Sequence, residues 1–354
     1  MLLFKRYFRY IAFEYLKNFL ILLAGLSFSI ILIDFFQHAA KIGGGFNQKI
    51  LYIFYNWEYI VTLIYPLVIL FSLGWTIMSF ISKNIFVSLY SFGYSKKQVY
   101  YPFILIAILI YITFTLLNCT SFAYGQDRAR AILKHQNQSQ VLNNIFFKHN
   151  DSFVHIKKLD APQKKIYDVE IFVIKNSNVS AIISAKEAFF QDPYWIAKEV
   201  KLKKRIFKNN EVVGFEIKRG KNIKMLKGYV PEVVKKIYEG KSLTIIDGFY
   251  AYRLLLKQGL DTSKVKAVLF NKVVMPLFAL VMLGVIFFKV PPYQRFIRKD
   301  KLWTAILGSS LLFWAFLFAM NRLAVNGVID PVYGQLLPIV LLAIYFFYIY
   351  FKEP

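Results

Sequence analysis

Asp34 stands inside the first long apolar run of the chain, where a carboxylate is costly unless something pairs with it. Lys41 and Lys49 follow it, and Arg322 ends a later apolar run. Ammonium and guanidinium groups in such places take phosphate oxygens through charge-assisted hydrogen bonds, so the four residues suit an anionic lipid headgroup. The same lysine and arginine side chains also snorkel to an interface with no ligand at all. A second set lies in the stretch 82–99. Ile85, Phe86, Leu89 and Tyr90 fall at helical spacing, Gly93 stops the turn, and Lys96-Lys97 follow. A short amphipathic helix of this kind docks into a groove of another protein or lies along the membrane surface; spacing alone leaves both open.

Catalytic constellations are not found. Gly240-Lys-Ser242 resembles the tail of a phosphate-binding loop, but the glycine required five residues earlier is Lys235. The four histidines, His38, His135, His149 and His155, share no metal-ligand spacing, and no Gly-x-Ser-x-Gly elbow occurs. Cys119 is alone in an apolar run and reads as a small buried side chain. We expect no enzyme, cofactor or metal. Energy for any uphill transport has to come from another protein.

Six apolar runs must position these residues. The 354-residue chain is 57% hydrophobic and 18% aromatic, with mean hydropathy +0.45. A span needs roughly 20 apolar residues, and the runs 15–37, 59–82, 100–125, 267–288, 302–320 and 331–351 qualify. Pro66 predicts a kink in the second. The first starts too far in, and is too long, for a cleavable signal peptide. Short interior loops should be rich in lysine and arginine. With the N-terminus inside, the pieces 1–14, 83–99, 289–301 and 352–354 hold twelve such residues, against three (Lys41, Lys49 and Arg322) in the loops 38–50 and 321–330. Both termini are therefore expected in the cytoplasm. The net charge of +25 suits an anionic membrane or ligand; no nucleic-acid-reading element is evident.

Between the third and fourth runs lies a polar module, 127–264, expected outside. Its period is near two in the segments 153–156, 167–174, 181–185, 195–202, 212–217 and 222–226, which predicts strands. Turns are expected at 176–178, 209–210 and 219–221. Without helical crossovers the module should be an antiparallel sandwich or roll. A helix over 242–257, ended by Gly259, should lead back to the membrane. The fold class expected is a six-span α-helical membrane protein with an inserted all-β, jelly-roll-like domain: spans over 1–126, β-domain over 127–264, spans over 265–354.

This plan resembles the LptF/LptG permease family of the lipopolysaccharide exporter. Leu32-Ile-Asp-Phe-Phe-Gln37, followed by Lys41 and a glycine cluster, is similar to that family's first span. Ile64-Tyr-Pro66 through Gly74 looks like its second. Ser88-Leu-Tyr-Ser-Phe-Gly-Tyr-Ser95 is similar to its coupling segment. Tyr252, Gly259-Leu-Asp261 and Asn271-Lys272 ahead of Pro276 look like its return helix and entry to span four. The resemblance implies a partnership with a second six-span permease, a cytoplasmic ATPase dimer and a single-span periplasmic bridge protein, with lipopolysaccharide as cargo in the bacterial inner membrane. It also implies a jelly-roll whose apolar inner face holds acyl chains, while Lys41, Lys49 and Arg322 face phosphates. Two positions depart from the family pattern. Ile85, beside Asn84, stands where an acidic residue usually meets the ATPase, and Ile31 stands where some members carry a lysine. The first-span aspartate and the return helix look more like LptG than LptF. The alternative is a membrane-anchored sensor or scaffold with a ligand-binding β-domain; interior loops under 20 residues leave it little room for an output domain. An ion channel is weaker still, since no filter-like loop is seen.

Overall fold

The computed structural model describes residues 6–43, 45–133, 141–149, 152–160, 163–175, 178–192, 194–208, 211–226, 242–257, 262–291 and 298–353. The chain divides into two compact units, Met1–His135 with Lys266–Pro354, and Gln136–Val265.

The first unit is helical. It contains α1 (Arg6–His38), α2 (Phe46–Ser82), α3 (Ile85–Ser91), α4 (Lys96–Asn118) and α5 (Gly125–Leu133). After the insert come α7 (Ser263–Val273), α8 (Leu277–Lys289), α9 (Lys299–Val325) and α10 (Leu337–Lys352), the last entered through a π-turn at Val332–Leu336. Among the described residues five helices are long and apolar enough to cross a membrane; α7 and α8, bent by 42° at a short break, make six if taken as one broken span. Pro276 explains the break: it has no N–H to continue the ladder, and the amides of Val274 and Met275 both reach Phe270 O at 2.8 Å. Pro66, by contrast, does not interrupt α2.

Burial orders the bundle around α2. Of its most apolar stretch 78% is buried, against 17% for α1, α9 and the last span. Those three therefore offer most of their surface to lipid or to partners. Polar ties join α1 to α2, because in hydrocarbon each polar group needs a protein partner. Tyr15 donates to Ile69 O at 3.0 Å, and Asn18 Nδ2 to Thr76 Oγ1 at 2.9 Å. At Gly74 a Cβ would lie 2.5 Å from the Trp303 ring, so α9 packs directly on the α2 backbone there.

Helix ends differ from the apolar runs where polar residues carry the helix onward. α2 starts at Phe46 rather than at 59, through a mixed polar and aromatic turn. α4 starts at Lys96 because Ser95 and Gln98 form a reciprocal capping box, each bond 3.2 Å long. It ends at Asn118, and α5 occupies residues read from sequence as span end and module start.

The second unit carries six antiparallel strands, β1 (Val141–His149), β2 (Ser152–Asp160), β3 (Lys165–Lys175), β4 (Asn178–Gln191), β5 (Tyr194–Lys208) and β6 (Glu211–Met225), in sheet order β1-β2-β3-β4-β5-β6. Val154, Ile156, Ile166, Val169, Val200 and Trp195 face one core with Leu226 and with Leu254 of α6 (Ile245–Lys257). β1 is an addition to the sequence reading. The turn expected at 219–221 is a correction. Arg219, Gly220 and Lys221 lie within β6, opposite Lys201, Val200 and Glu199. A charged tripeptide with glycine has turn composition, but β5 supplies a full ladder of partners, and the bare Cα of Gly220 leaves room for Ile223. Of the turn expected at 176–178, Asn178 opens β4 and 176–177 lie outside the described residues, as do the turn at 209–210 and Gly259 as a helix stop.

Candidate functional site

α1 and α2 run antiparallel, and the last turns of α1 meet the first turns of α2. Asp34 is there. Its carboxylate accepts hydrogen bonds from Tyr52 Oη and Asn56 Nδ2, both at 2.5 Å, and His38 Nδ1 lies 3.4 Å from its other oxygen. An acid that is costly in a span is thus satisfied by α2, and it ties the two helices together. Lys41 is exposed in the turn between them, and Lys49 is half-buried in the first turn of α2. Arg322 is exposed in the last turn of α9, over the Phe318 ring at 5.2 Å. α9 begins against the far end of α2, with Trp303 beside Trp75, so its last turn, with Arg322, points toward the Asp34 end of the bundle. None of these three cations has a carboxylate partner among the described residues.

The chain also leaves for and returns from the β-domain at this end, through groups that the sequence reading did not assign to a site. Lys272 of α7 donates to Asn118 Oδ1 at 2.9 Å, and Asn118 is 1% exposed. Glu58 is 6% exposed under α5, and its Oε2 has no hydrogen-bond partner. At Gly125 a Cβ would come within 2.6 Å of Tyr55 O, so only glycine lets α5 lie against α2. The signal was available: Glu58 and Lys272 are charges at the margins of apolar runs. A second span that begins at 59 leaves Glu58 just outside it.

At the opposite end α3 packs its apolar side inward. Phe86 is 4% exposed and meets Phe80, Tyr90 and Phe287 at 5.6–6.3 Å between ring centroids. Leu89 is also buried; Ile85 and Tyr90 are half-buried. The exposed side is Val87, Ser88, Ser91 and Phe92, the last 80% exposed. Gly93 has φ +81°, and its amide bonds Tyr90 O at 3.0 Å while that of Tyr94 bonds Leu89 O at 3.2 Å. This pair of bonds is the glycine-closed helix end known as the Schellman motif, and it fixes Phe92 at the tip. Of the five residues expected to couple, the structure places Phe86 and Leu89 as anchors. The outward side chains lie one and three positions further on.

The β-domain has two unlike faces. One is the apolar core. On the other, His155, Glu170, Ser184, Lys201 and Arg219 stand in one register across five strands, beside a cleft of about 770 Å³.

No curated protein matches the sequence at a significant level. The family model described as lipopolysaccharide export system permease LptF/LptG matches residues 9–352, from the first turns of α1 to the end of α10 and across the β insert. With the apolar helices and the inserted antiparallel sheet in the order that this match spans, the chain belongs to the LptF/LptG family of lipopolysaccharide export permeases.

Proposed function

We propose that this chain is the transmembrane half of an ATP-driven exporter. It takes lipopolysaccharide sideways from the inner membrane and passes it through the β-domain to a periplasmic bridge protein. A second six-span permease completes the cavity, and a cytoplasmic ATPase dimer supplies the energy through α3. Both termini are cytoplasmic and the β-domain is periplasmic, in line with the lysine and arginine bias of the short loops. The observation that carries the reading is the set Lys41, Lys49 and Arg322, cations without carboxylate partners at the end of the bundle where the chain leaves for the β-domain. Phosphates of an anionic glycolipid complement such a set. The apolar face of the sheet suits acyl chains, and the exposed tip of α3, Val87 and Phe92, suits an apolar groove on the ATPase, held in place by Phe86 and Leu89.

The test is photocrosslinking of the full chain to lipopolysaccharide in membranes, with and without the double change Lys41→Glu and Arg322→Glu. Loss of crosslinking is expected. Unchanged crosslinking means that these side chains only snorkel, and the headgroup assignment falls. Purification in mild detergent should bring down an ATPase and a second six-span protein. Their absence favours the sensor or scaffold reading.

A further inference from the structure

A second apolar feature lies on the membrane-facing side of the bundle, away from Lys41, Lys49 and Arg322. It is a groove of about 400 Å³ between α4, α8 and α10, lined by Tyr101, Ile104, Ile108, Val281, Ala343 and Phe347 among others. Its wall on α10 is set by a glycine. A Cβ at Gly284 would lie 2.2 Å from the Phe346 ring, so that ring rests directly on the α8 backbone. From Tyr101 to Ile108 the groove runs about 10 Å along the helix at 1.5 Å per residue. It starts one turn below the N-terminus of α4. The polar groups all gather at that mouth. Tyr101 Oη and Tyr350 Oη are 3.4 Å apart; in such a pair one hydroxyl donates to the other, and the second keeps its proton for a further acceptor. Lys97 Nζ sits 5.2 Å from the Tyr350 ring centroid and has no carboxylate partner among the described residues. Its neighbour Lys96 is already committed, to Phe288 O and to Glu353, each at 2.8 Å.

We propose that this groove is a binding site for an anionic phospholipid, with one acyl chain between α4, α8 and α10 and the phosphate held by Lys97 and the tyrosine hydroxyls. Size favours a chain over a helix: a transmembrane helix is about 10–12 Å across, too broad for a groove of this volume. Charge selects the headgroup, because an uncommitted ammonium at the mouth attracts a net negative charge and repels the ammonium of a zwitterionic lipid. Tyrosines at the mouth match the preference of amphipathic rings for the membrane interface. The site does not depend on the export reading; only its assignment to the cytoplasmic leaflet rests on the orientation proposed above.

The full chain, placed in nanodiscs of equal phosphatidylglycerol and phosphatidylethanolamine and then stripped with mild detergent, should retain phosphatidylglycerol over phosphatidylethanolamine by about fivefold, the worth of one lysine at a membrane surface. Native mass spectrometry reads the bound lipid. Lys97→Gln, a change outside the core, should abolish the preference. Ala343→Trp, which fills the groove, should lower retention of both lipids while the melting temperature confirms folding. Equal retention of the two lipids by the unaltered chain overturns the proposal. So does lipopolysaccharide in place of phosphatidylglycerol, or retention unaffected by Lys97→Gln. Lipopolysaccharide crosslinking through Lys41 and Arg322 is a separate readout, so either proposal can fail alone.

Discussion

Lys272 Nζ and Asn118 Oδ1 are joined by a 2.9 Å hydrogen bond across 154 positions of sequence. Between them lie α5, the whole β insert, α6 and most of α7. One bond therefore ties the last residue of α4, before the β insert, to α7, after it. Asn118 closes the site from the other side by donating to Phe114 O at 2.9 Å.

Lys272→Met keeps the length of the side chain and removes the donor. A hydrogen bond to a charged group contributes about 1.5–3 kcal/mol, and its loss leaves the Asn118 oxygen buried and unsatisfied. A lower melting temperature of the full chain in detergent is expected. The double variant Lys272→Met with Asn118→Leu should be no worse than the single one, because both partners are then apolar. Additive losses would show that the two residues act separately.

The end of α3 separates anchoring from contact. Phe86→Ala empties a packed aromatic site, at a cost of about 3–5 kcal/mol, and should lower melting. Phe92→Glu touches no core and should leave melting alone while abolishing co-purification of the ATPase. Gly93→Ala places a side chain at φ +81°, a strain of about 1 kcal/mol, and should weaken both modestly. If Phe92→Glu leaves co-purification intact, the tip of α3 is not the contact.

Gly125 and Gly74 rank two close approaches. A Cβ at Gly125 meets a backbone oxygen at 2.6 Å, and one at Gly74 meets a tryptophan ring at 2.5 Å. A ring has room to turn, because Trp303 is only half-buried, whereas the Tyr55 carbonyl belongs to the α2 backbone. Gly125→Ala should therefore destabilise by about 1–3 kcal/mol, and Gly74→Ala by less. Melting of the two variants side by side checks the order.

Much of this architecture was legible because hydrocarbon imposes a simple code. Uncharged runs of span length gave α1, α2, α4, α9 and the last span, and alternation gave the strands from β2 to β6. What the code misses is polar structure at its margins. The start of α2 at Phe46, and α5, carry mixed residues that read as loop, yet they fold as helix because α5 buries Ala129 against Ile42 and Tyr52. The α3 pattern was visible, but its direction was not: an amphipathic heptapeptide looks the same whether its apolar side faces its own core or a partner. Phe80 at the end of α2 and Phe287, distant in sequence, decide it.

Asp330 gives a pH signature outside the spans. Its carboxylate accepts from the Val332 amide at 2.7 Å and from Lys266 at 3.3 Å, and these donors hold its pKa below the ordinary carboxylate value. A depressed acid stabilises the fold above its unfolded pKa, and that contribution fades as pH falls through the lower folded value. Melting followed from neutral to acid should show a component in that window that Asp330→Asn removes. The side chain is exposed, so added salt should shrink it; a salt-independent component would have another source.

Asp34 offers the sharpest choice between two roles, because its hydrogen-bond donors are known. If it serves to tie α1 to α2, then Tyr52→Phe removes one of the two short bonds to its carboxylate and should reproduce part of the loss caused by Asp34→Ala. Each change should lower the melting temperature, and combining them should add little, since both break one contact. If the carboxylate instead acts on a bound headgroup or on neighbouring cations, Tyr52→Phe should be nearly silent in melting, while Asp34→Asn alters lipopolysaccharide crosslinking at Lys41. The geometry favours the tie. Both donors come from α2 and meet the same oxygen, Oδ2, while the other oxygen faces His38 Nδ1 of α1 itself. The crosslink at Lys41 should therefore survive Asp34→Asn in any variant whose α1 and α2 stay together.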